Sequence, residues 1–166
     1  PFIIDTGTST YEANEIRQAE RSTCSHNTVE INGQNQSQVW GGFRVGKRAK
    51  TSILEERENY IRASHSGYEE LGLTHIRSFE MTASSLIIKD EIIGSGKLDQ
   101  AKSFLHFHPE FSVDFATTFP RLKIVTEGET KNKNESFQYA PEFNHWIESN
   151  CLVTAFNHNL ITTISF

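Results

Sequence analysis

The run PFIIDTGTSTYEANEIRQAERSTCSHNTVEINGQNQSQVWGGFRVGKRA, residues 1–49, decides how the chain is read. Two parts of it carry chemistry. Phe2-Ile3-Ile4-Asp5-Thr6-Gly7 reads as a buried strand ending in an acid and a glycine, and Arg21-Ser22-Thr23-Cys24-Ser25-His26-Asn27-Thr28-Val29 sets a histidine just before a second strand. An Asp at one strand end and a His at another is a common way for a β-scaffold to present metal ligands. Each residue also has a plainer reading. Asp5 suits capping of the following turn through local hydrogen bonds, and a single His is more often a hydrogen-bonded structural residue than a ligand. Together they offer one oxygen and one nitrogen donor, suited to zinc or a similar divalent ion. A closed site needs a third protein ligand, which the spacing does not identify.

Outward from this block the chain reads as all-β. Short alternating or apolar runs recur between turn signals, as in a sandwich. Residues 28–31 are followed by Asn32-Gly33, the strongest short hairpin signal, because both positions tolerate positive φ. Further strands are expected at 51–54, 59–65, 73–82, 85–90, 102–108, 111–117, 122–126, 135–139, 151–156 and 161–166. Gly94-Ser95-Gly96 and residues 127–134 read as loops, and only residues 11–20 suit a helical turn. Twelve phenylalanines supply much of the core, and Phe104 and Leu105 alternate with His106 and Phe107 along one run.

Composition bounds the function classes. At 166 residues the chain has the size of one domain with a substantial core. A net charge of −5 argues against a nucleic-acid or anionic-membrane partner held by a broad basic surface, and against a dedicated binder of sulfated glycans. No apolar run reaches transmembrane length. Cys24 and Cys151 are either free thiols or a single bridge, and make no disulfide framework.

The order of motifs resembles the C-terminal β-sandwich of the heparinase II/III-like polysaccharide lyases. The strand ending D-x-G (Asp5 to Gly7) and the R-x-T…H-N-T segment (Arg21 to Thr28) match first. Residues 34–46 read as its Q-S…W-G-x-F-x-x-G segment, and His65-Ser66-Gly67-Tyr68 as its H-x-G-Y turn. Residues 73–77 match an H-x-R strand, 87–96 an I-x-D-x-I-x-G-x-G run, His106-Phe107-His108-Pro109 a late H-x-H-P strand, and 139–143 a late aromatic segment. Each motif is short; their order is specific. The resemblance implies an antiparallel two-sheet β-sandwich of the supersandwich type, a single domain over 1–166 whose N-terminal part is missing, cut from a toroid-plus-sandwich enzyme. It implies further that Asp5 and His26 bind a structural divalent metal, zinc or similar, with a third ligand from an H-x-H element upstream of Pro1. Such a site would be partial, its metal weak or absent in the chain alone.

Other residues have two readings. His106 and His108, at i and i+2, share a strand face and could be a zinc pair, but hydrogen-bonded strand residues are favoured. His65 and His75 are weighed alike, with His65 the better placed to face a cleft. Trp40 is either a sugar-stacking platform or, more simply, a core or loop anchor. Ala19 stands where many relatives carry an aromatic residue, and Tyr11 is the nearest substitute. Trp40, His65 and Tyr11 are therefore the substrate-binding candidates.

The activity implied is β-elimination at a uronic acid, with the main acid/base Tyr, the carboxylate-binding Asn and the catalytic His all outside this chain. The chain alone is then inactive, forming one wall of the substrate cleft against an N-terminal α/α-toroid domain. Heparan, alginate or a bacterial capsular uronate are compatible substrates, and the low basic count favours a non-sulfated one. Family resemblance favours a periplasmic or secreted location. Two alternatives are a carbohydrate-binding sandwich without catalysis and a structural module that would show an exposed apolar patch.

Overall fold

The computed structural model describes residues 1–111 and 123–166. Among the described residues twelve strands follow a short helix, α1 (Glu15–Glu20): β1 (Val29–Ile31), β2 (Val39–Trp40), β3 (Arg44–Val45), β4 (Thr51–Arg57), β5 (Tyr60–His65), β6 (Leu73–Met81), β7 (Ser85–Gly94), β8 (Ala101–His106), β9 (Lys123–Glu127), β10 (Lys131–Glu142), β11 (His145–Phe156) and β12 (Asn159–Ser165). One sheet has the order β4-β5-β6-β7-β12-β9, the second β1-β8-β11-β10, and β2-β3 forms a separate ribbon. Every strand pair is antiparallel. This is the two-sheet antiparallel sandwich expected from the short, alternating runs.

The core lies between the two larger sheets because alternate residues of both point inward. Val29, Ile31, Leu73, Ile92, Ala101, Phe156 and Leu160 pack with Tyr68 at one end. Ile88, Leu105, Phe107, Leu152 and Ile164 pack at the other. A third cluster, Phe104, Cys151 and Val153 with Phe137, lies on the opposite face of the four-stranded sheet. There Thr6, the Ile16, Ala19 and Glu20 side of α1, and Cys24 and Ser25 lie against it, so β8 is covered on both faces. That explains why Phe104, Leu105, His106 and Phe107 are all buried rather than alternating.

Three local expectations differ from the structure. Residues 131–134 belong to β10, not to a loop; only 128–130 turn between β9 and β10. Their polarity reflects an edge strand wet on both faces, as edges commonly are. Asn32 and Gly33 do adopt positive φ (53° and 68°). The chain then leaves after a single Ile31–Gln34 bridge, and β1 pairs with β8 instead. The Asn32 side chain is used at long range, accepting the Asp99 and Gln100 N–H groups and donating to Lys97 O. The helix does form inside 11–20, opening at Asn14, whose Oδ1 accepts the Arg17 N–H at 2.9 Å, but the 3-10 turns Thr23–Ser25 and Ser66–Leu71 lie outside that stretch. The ribbon β2-β3, two residues per strand, is too short to leave a periodic signal. The strand expected at 111–117 falls, apart from Phe111, outside the described residues.

Candidate functional site

Asp5 and His26 meet. The first residues pair in line with β1 along β8, with Ile4 N–H donating to His106 O at 3.0 Å and an Ile3–Phe107 bridge. Buried Ile4 thereby directs Asp5 outward at the strand end. Gly7, at φ +83°, turns the arm into a bridge with Ala140 of β10. His26 follows the 3-10 turn Thr23–Ser25, its N–H bonded to Thr23 O at 3.2 Å. The His26 Nδ1 lies 2.7 Å from Asp5 Oδ2, while Asp5 Oδ1 accepts the Gly7 N–H at 3.1 Å. Asp5 thus caps its turn and pairs with His26 at once. Burial opposes ionisation of Asp5, but the His26 and Gly7 hydrogen bonds outweigh it and hold its carboxyl below the usual range.

The donor pair suits a zinc-like ion in kind and falls short of one in number. Among the described residues no group of three or more His, Cys, Asp or Glu side chains is arranged to hold a metal ion. His106 is buried, its Nδ1 lying 3.3 Å from Asn27 Oδ1 and its ring edge-on to Phe137. Burial pushes the imidazole down to about 4, against the attraction of Asp5. His108 lies 3.6 Å from Glu110 and edge-on to Tyr139. Both therefore have the hydrogen-bonded or packed surroundings of strand residues.

The remaining motif residues tie this pair to the fold. Arg21 donates to the carbonyls of Trp40, Gly41 and Arg44, pinning the ribbon beside α1. Thr23 N–H donates to Asn35 Oδ1, and Thr23 Oγ1 accepts the Gln36 N–H. Asn27 Nδ2 donates to Ile4 O at 2.7 Å, its Oδ1 accepts the His106 N–H at 2.7 Å, and its carbonyl accepts from Arg77 Nη1 at 2.7 Å.

Behind Asn27 lies a buried polar network. Arg77 holds Asp90 in a fork, Nε at 2.6 Å and Nη2 at 3.0 Å. His75 Nε2 lies 2.7 Å from the same carboxylate, and His65 Nε2 3.1 Å from His75 Nδ1. Burial would raise Asp90, yet Arg77 and His75 hold it at about 2. Burial instead lowers His75, and pushes His65 down to about 4. His65, half-buried, has both ring nitrogens occupied, since Nδ1 accepts the Gly67 N–H at 3.1 Å.

The other two substrate candidates lie apart from the network. Tyr11 is exposed and has two ring neighbours in near-parallel, offset arrangement, Phe43 at 5.8 Å and Phe143 at 5.6 Å between centroids. Three exposed rings from distant segments thus form one ladder. Trp40 is partly exposed and lies against Gly46, where an added Cβ would approach its ring to 2.8 Å. Both cysteines are free, Cys24 exposed and Cys151 buried.

Asn27, Arg77 and Asp90 were not among the sequence candidates. Their signal was an acid inside the apolar run Leu86-Ile87-Ile88-Lys89-Asp90-Glu91-Ile92-Ile93 and a His75/Arg77 pair on one strand face. Charges on an inward face need partners.

Fold and site together define an antiparallel β-sandwich whose N-terminal arm sets an acid against an imidazole. The profile of the heparinase II/III-like, C-terminal family matches residues 1–162, and the chain belongs to that family. Heparan sulfate lyase HepC from Pedobacter heparinus shares the fold at TM-score 0.75 and 18% identity, over 99% of this chain and 28% of that one. A heparinase III gene product does so at TM-score 0.74 and 17% identity, over 99% of this chain and 27% of that one. The chain therefore spans little more than a quarter of these solved lyases. Among curated proteins, none matches it by sequence.

Proposed function

We propose that the chain is the sandwich portion of a lyase that cleaves a uronate-containing polysaccharide by β-elimination, and that it forms one wall of the substrate cleft. The observation that carries this reading is the Asp5–His26 pair, set at 2.7 Å where the family's D-x-G and H-N-T motifs meet. The reaction has three requirements. The C5 carboxylate is neutralised, a base removes the C5 proton, and an acid protonates the departing O4 as the C4–O4 bond breaks and the C4–C5 double bond forms. The groups for these steps lie elsewhere in the parent enzyme. Asp5 and His26 serve as positioning residues, and with a third donor from the parent they would hold a structural divalent ion. Trp40, Tyr11 and His65 are the substrate-facing candidates of this chain.

A second reading, a glycan-binding or domain-contact module without catalysis, is favoured by the exposed Phe43–Tyr11–Phe143 ladder. An ultraviolet assay for unsaturated uronate separates the two. Product from the full-length parent and none from this chain, across a panel of uronate polysaccharides, supports the lyase reading and names the substrate. Glycan binding by the chain without product from the parent sinks it.

A further inference from the structure

Asn27 spends every hydrogen-bonding group of its side chain, and its carbonyl, on a different element. Nδ2 bonds the carbonyl of Ile4, immediately before Asp5; Oδ1 bonds the N–H of His106 in β8; the main-chain carbonyl bonds Arg77 of β6. Its chain neighbour is His26. The two residues that meet at 2.7 Å are thus carried on segments whose adjoining residues, Ile4 and Asn27, are joined directly by one amide.

We propose that Asn27 is the residue that positions Asp5 against His26, with Arg77 as its anchor in the sandwich core. The inference rests on the reading of Asp5 and His26 as the functional pair. What Asn27 adds is restraint. Asp5 and His26 are both substantially exposed, so their mutual attraction in water is weak and would not by itself hold two loop-borne groups in one geometry. The Asn27 amide bonds are part-buried, and the carbonyl it offers to Arg77 faces a guanidinium already fixed by Asp90. Without a bound ion the carboxylate also sets the imidazole tautomer: accepting at Oδ2 keeps the proton on His26 Nδ1 and leaves Nε2 as the acceptor nitrogen.

The tautomer is the readout, because general loosening of the sandwich would not single it out. In the full chain labelled with 15N-histidine, long-range proton–nitrogen correlation should show His26 protonated at Nδ1. In Asn27→Ala that signature is expected to be lost to an averaged or Nε2-protonated ring, while the signals of His65 and His75 change little. Asn27→Asp keeps an acceptor for His106 N–H and lacks the donor to Ile4, so it should lose the His26 signature too, and it serves if the alanine variant does not fold. A folded variant in which His26 stays protonated at Nδ1 would overturn the proposal. The measurement uses no substrate, so it stands or falls separately from product formation by the parent enzyme.

Discussion

His65 Nε2 lies 3.1 Å from His75 Nδ1, and the Gly67 N–H bonded to the far side of the His65 ring settles which of the two donates. With His65 Nδ1 occupied as an acceptor, Nε2 carries the proton and gives it to His75 Nδ1. His75 must then donate from Nε2 to Asp90. The relay works only with both rings neutral, as burial also demands.

Stability should therefore fall in acid. Folding lowers His65 and His106 from 6.5 to about 4, so between those values the unfolded chain binds more protons than the folded one. Their contribution is fully present above about pH 6.5 and is lost as pH falls toward 4. Asp90, lowered from 3.8 to about 2, acts with the same sign in a lower window. Thermal melts from pH 8 to 4 should show a midpoint that declines below about 6.5. A flat profile would contradict buried, neutral imidazoles.

Arg77→Met should be among the costliest single changes. It leaves the wholly buried Asp90 carboxylate with His75 and Ser103 but without its counter-ion. Removing one partner of a buried pair costs about 3–5 kcal/mol. Denaturant unfolding checks this, and the companion Arg77→Lys should recover part of the loss by restoring charge without the fork.

Gly7→Ala tests the seating of the N-terminal arm. The backbone is at φ +83°, and an added Cβ would come to 2.0 Å from Ala140 O. Either the Gly7–Ala140 bridge opens or the residue bears strain of about 1–3 kcal/mol. Faster hydrogen exchange at the Ala140 amide, which bonds Thr6 O, is the expected signature.

Tyr11→Ala removes the middle rung of the ladder between Phe43 and Phe143. Its rings are largely exposed, so the expected loss of stability is small, about 1 kcal/mol. Tyr11→Phe should leave stability unchanged while removing the one polar group the ring presents. If the ladder meets sugar through that hydroxyl, titration with a uronate oligosaccharide should show weaker binding in both variants.

What the sequence determined by itself was the all-β class, most strand positions, the Asp5 and His26 candidates and the family. These rest on short-range signals: two-residue periodicity, turn residues, and motifs read in order. Even the error at 131–134 was local, since an edge strand wet on both faces carries the same polarity as a loop. The partners were decided only in three dimensions. Arg77 reaches Asn27 across 50 positions and Asn27 reaches His106 across 79. The Asp90 carboxylate is tolerable in the core only because the register of β6 and β7 sets Arg77 opposite it. Tyr11, a plausible sugar platform as a lone residue, is joined by rings from two distant turns. A hydrogen-bond partner far along the chain leaves no periodic trace, because its position is fixed by strand order and register rather than by its neighbours.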